Sequence, residues 1–415
     1  MTWGWRLAGA ATLIAIAAIT LTPLEGPVTG STYCLICGRR GAADAVLNLV
    51  MFLPVGWLVA RVSTARPTAS AALIGAGLSL AIEAIQIAVP GRDASLGDLA
   101  FNAAGALAGA LALRAYSRAR SAPTTAAACA GAAAVLLLGG FAQLLAPAFP
   151  DSRWWVQWTP ELGHFERHGG RVIDASFGAE PLPGGRPLER RDEVLAAMSE
   201  VDDLVVRLVG SEPASRGLAP IVSVFDDRRR EIFLLGGDGH DLVWRFRTRG
   251  AALRFDHVPL RFAGAGRLLE RRDTSLLRLS AEREGRVWGE GACVEVDGAR
   301  GPCARWTVGS SWRLLLPLDG PPGRWLELLW IATLFAPAGA LAAYGRRRNT
   351  VAFAAAAAGA VLLLPAFTPV AGASPTEVLA AAAGILFPGV VLRRAGVPHG
   401  APRAAPLSPS LRGPP

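Results

Sequence analysis

The residues of this chain best equipped for chemistry lie between Ser79 and Asn102, in the stretch SLAIEAIQIAVPGRDASLGDLAFN. Glu83, Gln86, Asp98 and Asn102 stand there in segments otherwise apolar enough for a bilayer, where one isolated carboxylate costs roughly 2.5 to 3.5 kcal/mol even on the lenient insertion scale. Asn48, in an earlier apolar run, and Arg92, in the short link between two runs, complete the set. Glu83 and Asp98 are candidates for an acid and base pair, the amides for orienting polar groups, and Arg92 for holding a phosphate or carboxylate. No motif supplies a nucleophile or a metal centre, so no catalytic residue is assigned beyond those two candidates. A plainer role stands beside this one: amides within membranes often only tie helices together, at about 0.6 kcal/mol per interaction, and a glutamate near an arginine can be a neutralised structural pair.

The elements that must position these residues follow from composition. The chain has 415 residues, 52% hydrophobic and 18% charged, which points to several membrane spans rather than one water-soluble domain. Its net charge of +9 comes wholly from arginine, since no lysine occurs, and this excludes a Walker A lysine or a lysine Schiff base. The arginines cluster at the ends of apolar runs and read as topology signals, not as a nucleic-acid surface. Those runs fall at 5–24, 44–62, 68–90, 97–116, 123–149, 323–344, 350–367 and 374–392, giving about eight transmembrane helices with both termini on the cytoplasmic side. Arg39, Arg40 and Arg92 are exceptions to the charge rule, placed on the outer side. Asp44 with Asn48, Ser79 with Glu83 and Gln86, and Asp98 with Asn102 are spaced three or four residues apart, so each set lines one helix face. With the spans alternating, all three faces lie roughly 6 to 10 Å below the outer boundary, forming a pocket with Arg92 and Asp93 at its lip. Gly105 and Gly109 add a small-residue ridge for close helix contact.

NLVMFLPVGWLVA at 48–60, SLAIEAIQ at 79–86, Arg92, and GDLAFNAAGALAG at 97–109 resemble the VanZ family, over about residues 5–118. The family takes its name from a protein associated with low-level resistance to the glycopeptide teicoplanin. The resemblance implies a cell-envelope role, and its polar signature falls on Asn48, Pro54, Glu83, Gln86, Arg92, Asp98 and Asn102.

A different region follows the fifth run. Trp154, Trp155 and Trp158, answered by Trp325 and Trp330, read as interfacial aromatic belts around a water-exposed insert. His164 and His168 have helical metal-pair spacing, yet HFERH lacks the order of a zinc protease motif, and a connector is expected. From about 173 to 318, segments such as APIVSVFDD, REIFLLGGDG, HDLVWRFRTR, ARWTVG and SWRLLLPL alternate in character between polar turns, as a β-sandwich requires. SFGAEPLPGGRPL followed by IVSVFDDRRREIFLLGGDGHDLVWRFRTRG resembles the concanavalin A-like, laminin-G-like jelly roll, over about residues 165–318. That resemblance implies carbohydrate or protein binding, with calcium as an option at Asp226, Asp227, Asp238 and Asp241 and no other cofactor. Cys293 and Cys303 bracket the turn signal Asp297-Gly298, which points to a disulfide. Cys34 and Cys37 form a CxxC that is a redox pair, half a metal site or, in oxidising surroundings, a simple disulfide. Cys129 is expected to pack within the fifth helix.

The expected chain is therefore multi-domain: a VanZ-like membrane region at 1–122, a fifth transmembrane helix at 123–150, an extracytoplasmic all-β jelly-roll sandwich at 151–322, three closing helices at 323–394 and a proline-rich cytoplasmic tail at 395–415. In the plasma membrane it would recognise or handle an envelope glycan, lipid-linked saccharide or glycopeptide. Its partners would be membrane lipids or a lipid-linked glycan, with cell-wall carbohydrate or envelope proteins as further options and no nucleic acid. The alternatives are a membrane-embedded hydrolase or transferase using Glu83 and Asp98, and a structural envelope scaffold.

Overall fold

The structure, a computed structural model, describes residues 3–23, 33–36, 38–92, 94–160, 165–200, 202–210, 217–269, 274–281, 291–316 and 322–394. Cys37, Asp93, His164 and the tail beyond 394, each singled out above, lie outside these.

Helices α1 (Trp3–Leu21), α2 (Gly41–Val62), α3 (Pro67–Gln86), α4 (Leu96–Ala119) and α5 (Pro123–Gln143) open the chain. Pro67 and Pro123 sit in the first turns of their helices, where a missing N–H leaves no bond unmade. The third apolar run stops being helical at Gln86, earlier than its hydropathy suggests, because Pro90 disfavours helix before it and Gly91 turns the chain with φ +73°. Among the described residues seven helices are long and apolar enough to span a membrane, while α1 is apolar over the shorter stretch Arg6–Leu21. Leu73, Leu80, Leu136 and Phe387 are exposed on these helices, as side chains against lipid would be.

The helices form two groups. Phe52, Val55, Ile82, Ala106 and Ile16 make the core of α1–α4. A five-helix first bundle, the natural reading of five consecutive spans, does not form: α5 packs with α8 (Pro322–Ala342) and α9 (Arg347–Leu363), and α10 (Pro375–Arg394) packs on those two. The two groups meet at one end through Tyr116 and Tyr344, whose hydroxyls are 2.9 Å apart, with the Arg120 guanidinium 4.6 Å from the Tyr344 ring centre.

Between α5 and α8 lie two six-stranded antiparallel sheets, a β-sandwich. In chain order the strands are β1 (Trp154–Trp158), β2 (Arg171–Phe177), β3 (Glu180–Pro181), β4 (Arg186–Leu188), β5 (Leu204–Val209), β6 (Leu218–Asp226), β7 (Glu231–Asp238), β8 (Asp241–Phe246), β9 (Leu260–Phe262), β10 (Thr274–Ala281), β11 (Gly291–Val296) and β12 (Ala299–Arg305). One sheet runs β4-β1-β6-β7-β8-β9 and the other β12-β11-β10-β5-β2-β3. Helices α6 (Arg191–Ser199) and α7 (Arg249–Ala252) interrupt them. Trp154, Phe177, Phe233, Trp244 and Phe246 fill the core between the sheets, with ring centres 5 to 7 Å apart where they touch.

Three sequence expectations are corrected here. Trp154 and Trp158 are not rings of a membrane belt: WWVQW is β1, and its period-2 alternation buries Trp154 completely and leaves Trp155 half-exposed, while Trp158 donates to the Leu182 carbonyl at 3.0 Å. SWRLLLPL is not a strand, because Thr307 and Ser310 form a capping box that opens a 3-10 helix over Val308–Leu314. Cys129 is exposed rather than packed. Cys293 and Cys303 face each other across β11 and β12 and are joined by a disulfide. The turn between the strands has Asp297 and Gly298 both left-handed, the conformation that a tight two-residue hairpin demands.

Candidate functional site

The polar residues of the first bundle come together because three glycines let α2 and α4 touch backbone to backbone. A Cβ on Gly56 would overlap the Ala106 carbonyl, one on Gly105 that of Leu49, and one on Gly109 that of Leu53. The approach places Asn48 Nδ2 at 2.6 Å from Asp98 Oδ1, so the amide donates to the carboxylate between helices. Ser95 caps α4, its Oγ accepting from the Gly97 N–H at 3.1 Å, while Glu83 on α3 accepts the Ser95 N–H at 2.7 Å. Deeper in the bundle the Asn102 amide donates to Ser79 Oγ at 2.9 Å.

Gln86 and Arg92 reach the other way, to α1. Gln86 Nε2 donates to the Thr20 carbonyl at 2.8 Å, and Arg92 donates to the carbonyls of Thr22 at 3.0 Å and Ile19 at 2.7 Å. The last carbonyls of a helix have no partner within it and attract a cation, so Arg92 serves as a C-terminal clamp for α1. All six residues therefore gather at one end of the four helices, linking α1 to α3 and α2 and α3 to α4. Among the described residues two acceptors here stay unmatched: Gln86 Oε1 and Asn102 Oδ1 are buried without a hydrogen-bond partner. Towards the end of the bundle Asp44 is exposed, and Asn48, Arg92 and Asp98 are half-buried.

Residues 9–117 match the family model VanZ/LLP1. Helices α1–α4 form a VanZ-like membrane domain. No curated protein and no solved structure matches the chain.

The β-sandwich sits directly on the polar end of the VanZ-like domain. Arg40, just before α2, pairs with Asp256 at 2.8 Å and donates to the Leu315 carbonyl at 2.9 Å. Arg254 returns the contact, donating its guanidinium to the Ile36 carbonyl and accepting the Ala42 N–H through its own carbonyl at 3.1 Å. The loop that carries Ile36 is itself fixed to α4, the Leu35 carbonyl resting on Gly97 so closely that a Cβ there would overlap it. Cys34, in the same loop, is disulfide-bonded. Arg40 stood out in the sequence as a charge on an unexpected side; its partner Asp256, in an unremarkable loop of the sandwich, had no local signal.

Glu377 is the second polar residue whose importance was hidden. It is 1% exposed at the start of α10 and accepts from Thr307 Oγ1, from the Gly309 N–H at 2.7 Å and from Ser374 N–H and Oγ at 2.7 and 3.0 Å. One carboxylate thereby fastens the 3-10 segment of the sandwich to the second bundle. The only cue was an acid near the end of a span.

The acidic turns of the sandwich are taken up by arginine. Asp226, fully buried, accepts from the Arg228 and Arg230 N–H groups and pairs with the Arg230 guanidinium, and burial notwithstanding these partners hold its carboxyl below the ordinary range. Asp238 and Asp241 both pair with Arg261. Among the described residues no group of three or more His, Cys, Asp or Glu is arranged to hold a metal ion. His168 is buried in a turn, its Nδ1 accepting the Gly170 N–H at 3.0 Å.

Proposed function

We propose that this chain is an envelope membrane protein that binds the head group of a lipid-linked saccharide or glycopeptide at the outer leaflet, the VanZ-like domain holding the polar head and the sandwich the sugar. The observation that carries this reading is the seating of the sandwich on the VanZ-like domain through Arg40, Asp256 and Arg254, beside Asp44, Asn48 and Asp98. A ligand at that junction would meet both parts at once. The unmatched acceptors of Gln86 and Asn102 add hydrogen-bonding capacity in the interior beneath it. In this reading the sandwich is a concanavalin A-like jelly roll on the extracytoplasmic face, and the general link of the VanZ family to glycopeptide resistance reflects recognition of such envelope components.

Arg92 holds α1 rather than pointing freely at a ligand, so the head group would be met by Asp44, Asn48 and Asp98 with Arg40 nearby. The test is native mass spectrometry of detergent-purified protein, wild type against Asp98→Asn and Glu83→Gln, with thermal unfolding as a control on folding. A lipid-linked phosphate or saccharide on the wild type that is lost from both folded variants supports the reading. The same lipids on all three, or none on any, sinks it.

A second reading has its own support: every one of the six residues ties one element to another, which is what a scaffold requires. Crosslinking that recovers a stable envelope protein and no glycan would favour it.

A further inference from the structure

The hairpin joining β6 to β7 reads Asp226-Asp227-Arg228-Arg229-Arg230, and its geometry is unusual for its composition. Asp226 and Arg230 close the loop, with the Asp226 N–H donating to the Arg230 carbonyl and the Arg229 N–H to the Asp226 carbonyl, both at 2.9 Å. Arg229 is thereby held left-handed, at φ 57°, the position in a three-residue hairpin loop that glycine usually takes. A non-glycine residue is strained there. The chain accepts that strain and displays three successive arginines.

Only Arg230 of the three has a carboxylate, that of Asp226. Arg228, Arg229 and the nearby Arg153 are exposed and, among the described residues, make no ion pair, whereas Arg190, Arg191, Arg245 and Arg261 all do. Arg153 and Arg229 line an open cavity of about 440 Å³ together with Trp155 and Phe225, which are cross-strand neighbours on β1 and β6, and with Asp226 and Asp227, of which Asp226 is already bonded to Arg230.

The position of this hairpin supplies the partner. Beyond Gln143, where the span of α5 ends, the chain is pinned to the sandwich: Gly250 N–H donates to the Leu144 carbonyl at 2.7 Å, Arg249 N–H to Ala146 at 2.8 Å and Ala148 N–H to Arg247 at 3.0 Å. Arg247 in turn donates to the Ile232 carbonyl at 2.7 Å, two residues along from Arg230. The arginine turn therefore stands beside the strap that follows the span of α5.

We propose that the Arg153, Arg228 and Arg229 cluster, with the Trp155 and Phe225 floor, binds the phosphate of an anionic phospholipid at the membrane surface. The arginines would hold the phosphate oxygens and the aromatic pair would lie against the glycerol and upper acyl region, where such rings are favoured. This site is separate from the polar end of the VanZ-like domain and does not depend on the reading given for it.

The experiment is a native mass spectrometric titration of the full chain in detergent with phosphatidylglycerol and with phosphatidylcholine, comparing wild type, Arg229→Gly and Arg153→Gln. Arg229→Gly removes a charge while relieving the left-handed strain, so its thermal midpoint should equal or exceed that of the wild type. The wild type is expected to prefer phosphatidylglycerol, and each variant to lose about fivefold in apparent affinity for it, the effect of one arginine at an anionic surface. Equal affinity in all three proteins, or no preference over phosphatidylcholine, overturns the proposal. So does displacement of the lipid by millimolar inorganic phosphate, which would mark a site for the free ion instead.

Discussion

Arg40 and Asp256 meet at 2.8 Å across the seam between the VanZ-like domain and the β-sandwich. The pair is partly covered, and Arg40 also holds the Leu315 carbonyl, so it should contribute at the upper end of the range for surface pairs. A double-mutant cycle with Arg40→Ala and Asp256→Ala, read by thermal unfolding of the full chain, is expected to give a coupling of about 1 kcal/mol. Strictly additive losses would mean the two parts are held together elsewhere.

The contact of α2 with α4 should be intolerant of a single methyl group. Gly56→Ala would drive a Cβ into the Ala106 carbonyl, and the helices would have to separate. Overpacking of this kind costs about 1 to 3 kcal/mol and here would also pull Asn48 from Asp98. Gly140→Ala is the control, since nothing lies within 4 Å of its added carbon. Size-exclusion profiles and melting points should separate the two variants clearly.

Glu377 should prove more sensitive than its place in an alanine-rich helix suggests. Glu377→Ala would strand the Gly309 and Ser374 N–H groups, with a loss of about 2 to 4 kcal/mol for the buried donors together. Glu377→Gln keeps one carbonyl oxygen and should recover part of that loss. Limited proteolysis of the 308–314 segment would report the loosening directly.

Acid should destabilise the sandwich in two stages. His257 is half-buried, and its desolvation holds the imidazole below the ordinary range; His168, which is buried, is shifted the same way by the same cause. The folded chain keeps these rings neutral while the unfolded chain protonates them, so their contribution is full above about pH 6.5 and declines as pH falls below it. Glu231 behaves as a paired carboxylate: burial opposes its charge, but Arg245, bonded to it at 2.6 Å, draws it below 4.5, and stability present above that pH is lost on further acidification. Replacing both histidines by glutamine should flatten the first stage and leave the second. Melting points measured between about pH 7 and 3 would decide, and an unchanged slope between pH 6.5 and 5 in the double variant would contradict the assignment.

Much of this architecture was legible in the sequence because hydrophobicity has a length and a period. Runs such as 44–62 and 97–116 coincide with α2 and α4, and the short apolar runs of APIVSVFDD and REIFLLGGDG, bounded by turn residues, mark β6 and β7, which are buried along most of their length. The failures have one physical origin, that local composition does not name a partner. WWVQW has the amphiphilic rings of a membrane interface and of a sandwich strand alike, and only pairing with β6 decides between them. The polar residues of the first bundle could be placed at a common depth from their spacing, but that Arg92 would turn towards α1, or Arg40 towards Asp256, depends on contacts 70 and more residues away.

The alliance of α5 with α8 and α9 bears on how the protein is made. When α5 emerges from the ribosome its eventual neighbours have not been translated, and the entire sandwich must come first. The first four helices can close on one another at once, through glycine contacts local to that segment. Helix α5 must instead wait in the bilayer, its small alanine and glycine side chains facing lipid, until α8 arrives. Biogenesis thus divides into an early, self-sufficient module and a late one whose assembly is gated by the folding of the domain between its halves.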